Sequence, residues 1–440
     1  MPATPKPWQP PVIEAGARAL RNGLPFLDSS ETGVGKTYAT CFAAREAGVS
    51  LGVICPLSVI PSWIEAAEKI GTSLAFVGNI ESLKNGKGPL KRRGKHQWAW
   101  EIPNYTRLVF DEAHRYKVPT TQNGKILRDA PGAMMLSATP FAGPHEARVV
   151  GSKLGLFHWN DFESWAGRHG CKYGFLGGME FAGIVRVPKG MPEPSDEERD
   201  AERQKILDQI HRQIFHTGRG VRIRKTDLGD LFPPIFRETR IVPTGDGDAI
   251  DAAYHEELQA LKASAISGGV EFLRARQLSE FTKVPHLVEI TEDLLAQGRS
   301  VLLFVNFRDT FDRLVAAFPG CARVYGGQDL EGVPREAERV RFQRDETRVF
   351  VLMIQAGGVA LSAHDLNGQF PRASIILPGV SAEQVIQADG RDHRAGGLTP
   401  VHHYYLYSDC RIERRLRAKL DRKIGDLTLL LDGDLTPDEP

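Results

Sequence analysis

The chain has 440 residues, and its 56 lysines and arginines almost balance its 55 aspartates and glutamates, which gives a formal net charge of +1. This balance excludes nucleic-acid binding through overall charge and leaves only local basic patches. The five cysteines are scattered without a C-x-x-C pair, which argues against a disulfide framework or a zinc site. No apolar stretch approaches the length of a membrane span, so we expect a cytoplasmic protein with no membrane partner.

A glycine-containing loop near the start predicts a phosphate site. It reads SETGVGKT, follows the apolar run Leu24–Leu27 and precedes an alanine-rich helix candidate at Tyr38–Ala47. Glycines let the loop turn tightly, Lys36 can bind the β- and γ-phosphates, and the Thr37 hydroxyl can bind Mg²⁺. All the loop residues are candidate nucleotide ligands: Ser30, Glu31, Thr32, Gly33, Val34, Gly35, Lys36 and Thr37.

Two acidic residues follow a second apolar run. Asp111 and Glu112 come directly after Arg107–Phe110, a candidate buried strand. Open α/β sheets place ligand chemistry at the carboxyl ends of their strands, so Asp111 is a candidate Mg²⁺ ligand together with Thr37. Glu112 is the candidate that polarises the attacking water. With the phosphate loop, this pair predicts hydrolysis of a nucleoside triphosphate.

Apolar strand candidates alternate with helical stretches twice along the chain, which is typical of doubly wound parallel sheets. The first series is Leu24–Leu27, Leu51–Cys55, Leu74–Val77, Leu108–Phe110 and Ala133–Ser137. The second series is Val301–Val305, Ala322–Tyr325, Val349–Ile354, Ser374–Leu377 and His402–Leu406. We predict an α/β fold with one lobe at residues 1–150, a mostly helical insertion and linker at 151–290, a second lobe at 291–425 and an acidic tail at 426–440.

Several segments outside the strands have helical or loop character. Helices are predicted at Glu202–Ile214, Ile250–Ala265, Val270–Leu295 and Arg411–Lys423. The last of these is basic, with Ile412, Leu416 and Leu420 on one face, and we favour its docking on the second lobe over nucleic-acid binding. A polar segment rich in proline and acidic residues, Pro188–Asp200, is predicted to be a loop.

Two further motifs follow strands. Ser137 and Thr139, in LSATP, could hydrogen-bond Asp111 and Glu112, although an ordinary strand-to-turn exit is the better explanation of this motif in isolation. The segment Gln387–Arg394 places Arg391 and Arg394 on one face of a helix or turn. These arginines are candidate fingers for the γ-phosphate, the alternative being an exposed basic turn.

The ordered set of motifs resembles superfamily 2 helicases, and within them the DEAH-motif ATPases of the Swi/Snf and annealing-helicase type. The matching segments are Ser30–Thr37, Val53–Ser58 with Trp63, Asp111–Lys117, Leu136–Pro140, Val221–Lys225 with Leu231–Pro234, Leu303–Asn306, Gln355–Gly358 and Gln387–Arg394. The resemblance implies two RecA-like lobes, with Gln9 reading adenine and Gln387 contributing to the nucleotide site, and therefore ATP with Mg²⁺ as cofactors. It also implies that His114, with Ser137 and Thr139, couples the lobes.

The same resemblance places a set of residues along a nucleic-acid backbone: Pro56, Ser58, Gln355, Gly357, Gly358 and Ser362. The chain departs from the family pattern at Met353 and Ile354, where hydroxyl residues are usual, and at Ala360, where glycine is usual. Separately, Lys91, Arg92 and Arg93 lie in a basic stretch that Trp98 and Trp100 follow. This stretch is either a phosphate and base contact or a solvated loop whose tryptophans pack on the lobe.

We therefore expect an ATP-dependent DNA helicase or translocase that has little sequence preference and acts as a monomer on single-stranded, forked or branched DNA. One alternative is a duplex translocase that anneals or branch-migrates DNA without unwinding it. An RNA helicase is a further alternative. The last alternative is a binding module that has lost catalysis, although such relics usually lack Lys36, Glu112 or the finger arginines.

Overall fold

The computed structural model describes residues 3–94, 97–174, 178–184, 194–243, 245, 250–252, 265–328, 334–357 and 361–433. The chain forms two compact units, each with its own core. Unit 1 comprises Met1–Leu228 and Ile424–Pro437, and unit 2 comprises Gly229–Lys423 and Asp438–Pro440. Across the described ranges, no helix combines the length and the apolar character that crossing a membrane requires.

Unit 1 is built on a six-stranded, all-parallel sheet in the order β10-β1-β7-β6-β2-β3. Its strands are β1 (Phe26–Asp28), β2 (Ser50–Ile54), β3 (Leu74–Gly78), β6 (Thr106–Asp111), β7 (Met134–Leu136) and β10 (Gly220–Val221). The strands β1, β2 and β7 are buried along their whole length, as strands of a sheet covered by helices on both faces must be. Two antiparallel hairpins lie outside the sheet: β4 (Leu90–Arg92) with β5 (Trp98–Trp100), and β8 (Cys171–Tyr173) with β9 (Met179–Phe181).

The described part of unit 1 also contains helices. They are α1 (Pro10–Asn22), α2 (Lys36–Ala47), α3 (Ile60–Ile70), α4 (Ile80–Lys84), α5 (Gln122–Asp129), α6 (Arg148–Lys153), α7 (Phe162–Arg168) and α8 (Asp196–Phe215). Apolar side chains of α1, α2 and α3 form one core with the sheet, and Trp63 in α3 is fully buried there. The sheet and these three helices thus hold the phosphate loop between β1 and α2 on a packed framework.

Unit 2 has a second six-stranded, all-parallel sheet in the order β11-β16-β15-β12-β14-β13. Its strands are β11 (Ile235–Val242), β12 (Ser300–Val305), β13 (Ala322–Val324), β14 (Val349–Met353), β15 (Arg372–Ile376) and β16 (Val401–Ser408). Its helices are α9 (Ala265–Thr282), α10 (Val284–Ala296), α11 (Arg308–Ala317), α12 (Arg335–Gln343), α13 (Ile354–Gly357), α14 (Ala382–Asp389) and α15 (Arg411–Asp432), the last of which ends in unit 1 residues. Apolar clusters on the two faces of β12 and β14 form its core.

The predicted fold class is confirmed: the chain has two α/β units, each with a parallel sheet, and all ten predicted strands are present with ends shifted by at most about two residues. The sixth strand of each sheet comes from the middle of the chain, where a mostly helical insertion and linker were expected. The strand β10 has two residues, too few to show a pattern. The strand β11 lies at the sheet edge and is half exposed, so its sequence, IFRETRIV, carries charges instead of an apolar run.

The helices differ from expectation at their ends. The predicted loop Pro188–Asp200 overlaps α8, which begins at Asp196 because Ser195 and Glu198 form a capping box. The predicted helix Val270–Leu295 is two helices, and α10 begins at Val284 with a proline in its first turn. The acidic tail expected from residue 426 is helical as far as Asp432. Most of the predicted helix Ile250–Ala265 and the tail from residue 434 lie outside the described residues.

Candidate functional site

The carboxyl ends of three neighbouring strands of unit 1 lie level with one another. Leu136 at the end of β7 pairs with Asp28 at the end of β1 and with Asp111 at the end of β6. Parallel strands present their carboxyl ends at one edge of the sheet. This register brings together the phosphate loop after β1, the acidic pair after β6 and the hydroxyl residues after β7, which the sequence spaces over more than a hundred positions.

The phosphate loop uses glycine where the backbone requires it. Gly33 and Gly35 have φ angles of 85° and 94°, in the region that side chains other than glycine rarely adopt. A Cβ atom on Gly35 would also lie 2.7 Å from Nε2 of Gln9. The helix α2 begins immediately afterwards at Lys36, so the positive end of its dipole and its free N–H groups face the loop. This geometry suits the binding of a phosphate chain.

The segment before α1 contacts the same loop. Gln9 is buried, and its Nε2 donates a hydrogen bond to the Gly35 carbonyl at 3.1 Å. Its Oε1 accepts a hydrogen bond from the Lys6 backbone N–H at 2.8 Å, which fixes the amide orientation. Trp8 donates from Nε1 to the Val34 carbonyl at 3.0 Å. The structure therefore places the predicted adenine-reading residue against the phosphate loop.

Lys36 is held inside the loop by backbone carbonyls. Its Nζ donates to the carbonyls of Ser30 at 2.6 Å and Glu31 at 2.9 Å. Burial lowers the pKa of Lys36, although the charges of Asp28, Glu112 and Asp111 oppose that shift. Burial likewise raises the pKa of Asp28, a residue that the sequence analysis did not single out. The ammonium group therefore lies in a cluster of carboxylates that a phosphate chain with Mg²⁺ would join.

Both oxygens of the Asp111 carboxylate are engaged. Its Oδ2 accepts a hydrogen bond from Nε1 of Trp63 at 2.9 Å, and its Oδ1 accepts one from the Glu112 backbone N–H at 3.0 Å. Burial and the neighbouring Glu112 charge raise the pKa of Asp111 to about 6. Glu112 itself has a φ of 54°, a left-handed conformation that costs energy in residues other than glycine and that recurs at functional sites.

His114 connects the acidic pair to the strand end after β7. Its Nδ1 lies 3.4 Å from Oε2 of Glu112 and 3.2 Å from Oγ of Ser137, while Ser137 Oγ accepts the Thr139 backbone N–H at 3.2 Å. A direct hydrogen bond from each hydroxyl to the carboxylates was one of the two interpretations of the LSATP motif. In the part of the chain that the structure describes, Ser137 instead reaches Glu112 through His114, and the Thr139 hydroxyl is buried without a partner.

The first half of the phosphate loop is paired with a segment far along the chain. The backbone N–H groups of Ser29 and Glu31 donate to the carbonyls of Val221 and Ile223 at 2.8 and 3.0 Å. The Ser30 hydroxyl accepts the Ile223 N–H at 3.1 Å, so a hydroxyl residue at this position has a structural role. The segment resembling the family's link between lobes thus completes the loop as a continuation of β10.

Arg222 extends from this segment into the loop, and it is not among the individually predicted site residues. Its Nη1 donates to the Ser29 carbonyl at 2.7 Å, and its guanidinium forms a two-point ion pair with Asp432 near the end of α15. Oε1 of Glu31 also lies 3.7 Å from Nη2 of Arg222. The only signal in the sequence was its position among four basic residues between 219 and 225.

The arginine motif lies in unit 2. Gln387 and Arg391 are buried, whereas Arg394 is half-buried and donates from Nε to the Gly390 carbonyl at 3.0 Å. His393 contacts the Pro233 carbonyl through Nε2 at 2.8 Å. The interpretation of this motif as an exposed basic turn therefore fails for Arg391, whose exposed fraction is 3%.

The nucleic-acid candidates of unit 1 occupy different surroundings. Pro56 is buried beyond β2, whereas Ser58 is exposed. The basic residues Lys91, Arg92 and Arg93 are exposed on and beside the strand β4 of its hairpin. Among them Arg93 pairs with Glu101 at 2.8 Å.

The tryptophans of that hairpin pack on unit 1. Trp98 is 9% exposed, and Trp100 lies between Phe76 and Phe110, with ring centroids 6.4 and 6.0 Å apart. These contacts leave no reason to assign base stacking to Trp98 or Trp100.

In unit 2, Gln355 is exposed, Gly357 ends α13 and Ser362 is half-buried. Gly358 lies outside the described residues. Asn306 follows β12 and is held by two hydrogen bonds to Glu280. Its backbone N–H donates to Oε1 of Glu280 at 2.9 Å, and its Nδ2 donates to Oε2 at 2.7 Å.

The residues of the unit 1 site fit a nucleoside triphosphate with Mg²⁺. The loop offers backbone N–H groups at a helix start, Lys36 offers a charge, and Thr37 with Asp111 offers the oxygen ligands that Mg²⁺ prefers. When bound, Mg²⁺ would neutralise charge on the β- and γ-phosphates. Glu112, beside Asp111, has a left-handed backbone conformation, and its carboxylate contacts His114.

Comparison with known proteins gives one curated relative and several solved structures. No family model matches the chain. A protein of Acanthamoeba polyphaga mimivirus named "Putative ATP-dependent RNA helicase L364" is 29% identical over 443 residues, covering 93% of this chain and 80% of the relative.

The Sulfolobus solfataricus SWI2/SNF2 ATPase core in complex with dsDNA has a TM-score of 0.36 and 16% identity, covering 100% of this chain and 94% of that one. A second structure of the same core domain has a TM-score of 0.36 and 18% identity, and the match covers 98% of this chain and 90% of that one. Saccharomyces cerevisiae Dbp5 bound to RNA and ADP BeF3 has a TM-score of 0.46 and 10% identity, and the match covers 92% of this chain and 83% of that one.

Three observations agree: the ordered motifs, the two parallel-sheet units that present them at strand ends, and the end-to-end similarity to the mimivirus protein. The chain is thus similar, over 93% of its length, to a protein named as an ATP-dependent helicase, and it carries the ordered motifs that resemble superfamily 2 helicases.

Proposed function

We propose that the chain is a motor that hydrolyses ATP to move along DNA, unwinding or remodelling it with little sequence preference. The observation that carries this proposal is the level register of β1, β6 and β7, which assembles Lys36, Asp111 and Glu112 at one sheet edge. Tracking of a phosphate backbone carries no sequence information, which accounts for the expected lack of preference.

The proposed roles follow the geometry. Lys36 exchanges its two carbonyl partners for the β- and γ-phosphates when ATP binds. Glu112 accepts a hydrogen bond from the attacking water and orients it, and His114 links its carboxylate to Ser137. Gln9 reads adenine, Gln387 contributes to the nucleotide site, and Arg391 and Arg394 of unit 2 stabilise charge on the γ-phosphate as hydrolysis proceeds.

The proposed nucleic-acid contacts divide between the units. In unit 1 they are Pro56, Ser58 and the exposed Lys91, Arg92 and Arg93, and in unit 2 they are Gln355, Gly357, Gly358 and Ser362. The exposed basic side chains of the hairpin supply positive charge locally in a chain whose net charge is only +1. We propose that coupling between nucleotide state and nucleic acid passes through His114, Ser137 and Thr139, because the first two connect the attacking-water residue to the next strand end.

RNA is the second candidate substrate, and the name of the mimivirus relative favours it. A duplex translocase that anneals or branch-migrates DNA is the remaining variant of the DNA proposal. Steady-state ATP hydrolysis is to be measured with single-stranded, duplex, forked and four-way-junction DNA and with single-stranded and duplex RNA. We expect stimulation by DNA; stimulation by RNA alone would transfer the proposal to RNA, and indifference to every nucleic acid would refute the motor.

Two substitutions test the catalytic roles. Glu112→Gln should lower kcat by about 100-fold or more while ATP binding persists, because a neutral amide accepts the hydrogen bond of the water more weakly than a carboxylate does. Lys36→Ala should weaken ATP binding as well. The matched controls are Glu65→Gln and Lys69→Ala, an exposed ion pair on α3 outside the site, which should turn over like the unaltered protein.

A further inference from the structure

A buried histidine of unit 2 bridges two carboxylates of the arginine motif. His403, on β16, has a side chain with no exposed surface, and its Nε2 lies 2.8 Å from Oδ1 of Asp392 while its Nδ1 contacts Oδ1 of Asp389. A neutral imidazole has one N–H donor and one acceptor. Since both ring nitrogens face carboxylate oxygens, the contacts are satisfied only when both carry protons, so the side chain is an imidazolium.

The remaining oxygens of the two carboxylates also have donors. Oδ2 of Asp389 accepts from Nη2 and Nε of Arg237 at 3.0 and 3.2 Å, and its Oδ1 accepts from the Tyr405 hydroxyl as well. Oδ2 of Asp392 accepts from the Ser374 hydroxyl at 2.6 Å. Two positive charges therefore balance two negative ones, and each carboxylate oxygen is bonded. Removing His403 would leave buried negative charge and an unbonded oxygen.

The two carboxylates flank an arginine of the proposed catalytic pair. Asp389 ends α14, Asp392 follows Arg391, and the Arg391 backbone N–H donates to the Ala388 carbonyl at 3.1 Å. The strand β16 that carries His403 is itself paired with β15 and β11 in the sheet. The turn that presents Arg391 is thus tied on both sides of that residue to one side chain of a sheet strand.

We propose that His403 is a positioning residue for ATP hydrolysis, whose imidazolium holds the turn 389–392 so that Arg391 is presented to the nucleotide. The inference rests on the proposed role of Arg391 and Arg394 at the γ-phosphate. His403 touches no reacting atom, so it acts through Arg391. The substitution of a neutral side chain should then impair the chemical step and leave ATP binding by the unit 1 loop intact.

The protonation state supports the same geometry. Burial alone would lower the pKa of His403, but the charges of Asp392 and Asp389 raise it to about 9. The groups that face the imidazole are Asp389, Asp392, Tyr405 and Ser374, with Arg237 on the far oxygen of Asp389. The imidazolium is therefore present near neutral pH and is lost as the pH rises through the folded-state value.

The test compares His403→Gln with His402→Gln in nucleic-acid-stimulated ATP hydrolysis. His402 is the adjacent residue on the same strand and points to the other face, where it contacts Arg299. We expect kcat of His403→Gln to fall by about 100-fold, the loss that a displacement of about 1 Å at a catalytic group produces, with KM for ATP changed by less than about threefold. His402→Gln should match the unaltered protein, and a kcat of His403→Gln equal to that of the control would overturn the inference.

Two further measurements separate positioning from a general loss of structure. Adding His403→Gln to Arg391→Ala should lower kcat no further than Arg391→Ala alone, because the histidine acts only through that arginine; additive losses would overturn the inference. The second measurement uses the unaltered protein. Its kcat should fall above about pH 9 while circular dichroism shows that it is folded, and an unchanged kcat in that range would count against the role of the imidazolium.

The proposed function and the inference fail in different ways. If Arg391→Ala hydrolyses ATP normally, the finger role is refuted and the inference falls with it. If Arg391→Ala loses activity but His403→Gln keeps it, only the inference is refuted. Should His403→Gln not fold, the double variant His403→Gln/Asp392→Asn, which restores the charge balance, takes its place; it should show the same unchanged KM and a kcat independent of pH above about 9.

Discussion

The ion pair between Lys283 and Glu413 is buried, and its removal should destabilise unit 2. Lys283 Nζ lies 2.5 and 2.7 Å from the two Glu413 oxygens, and the side chains are 3% and 9% exposed. Glu413 also accepts from the Ser279 hydroxyl and the Ser408 N–H, each at 2.6 Å. Lys283→Met removes the ammonium that contacts both oxygens of this carboxylate, which stays inside with two neutral donors and the charge of Arg276 in its surroundings.

The expected magnitude follows from that burial. Deleting one partner of a buried pair costs about 3–5 kcal/mol, because the remaining charge stays desolvated. With a urea dependence of about 2 kcal/mol/M, the midpoint of unit 2 should fall by about 2 M. In the double variant Lys283→Met/Glu413→Gln, no charge remains unpaired and the neutral amide still accepts the Ser408 N–H. More than half of the lost stability should therefore be regained.

Urea unfolding followed by circular dichroism measures the effect, and tryptophan fluorescence gives an internal reference. All six tryptophans lie between positions 8 and 165, within unit 1, so fluorescence reports the unfolding of that unit. The exposed pair Arg308 and Asp312 provides a matched control, Arg308→Met, which should cost less than about 1 kcal/mol. A midpoint shift for Lys283→Met no larger than that of this control, or a double variant as unstable as the single one, would refute the reasoning.

Three further predictions concern the nucleotide site and pH. Gln9→Ala should raise KM for ATP about tenfold, the equivalent of one lost hydrogen bond of about 1.4 kcal/mol, with KM for GTP unchanged; equal changes for both nucleotides would refute adenine reading. Arg222→Met should leave Asp432 unpaired and lower the stability of unit 1 by about 3 kcal/mol, seen as an earlier tryptophan-fluorescence transition in urea, with Arg219→Met as the control. The pKa of His403 is raised on folding, so its contribution to stability is complete below 6.5 and is lost as the pH rises through about 9; urea midpoints should decline across that window, and a decline that persists in His403→Gln would contradict this.

The strands that could be predicted from the sequence are those that are buried in the middle of each sheet. The central strands are apolar runs because both faces of each sheet are covered, so periodicity alone located them. The edge strands could not be located in that way: β10 is too short, and β11 is half exposed and carries charges such as Arg237. Residue propensity and the alternation of apolar residues reveal which segments are buried. An edge strand is instead set by its pairing with residues far along the chain, so neither signal locates it.

The candidate site divides similarly. Lys36, Asp111 and Glu112 were found because their chemistry requires particular residue types at fixed spacings. The bond from Trp63 to Asp111 spans 48 positions, and the contact of Arg222 with Ser29 spans 193. Nothing in local spacing indicates such partners, because they depend on which strands become neighbours in the sheet. The same limit applies to His403, whose two aspartate partners lie 11 and 14 residues earlier.

The discontinuity of unit 1 has a consequence for synthesis. The loop that begins after β1 is completed by residues 220–225, and Arg222 is paired with Asp432, eight residues from the end of the chain. During translation, residues 229–423, which form nearly all of unit 2, are therefore made between two pieces of unit 1. The phosphate loop is therefore made first, and residues 220–225 and Asp432, which support it, are made later, so a nascent chain that still lacks them has a phosphate loop without all of its contacts.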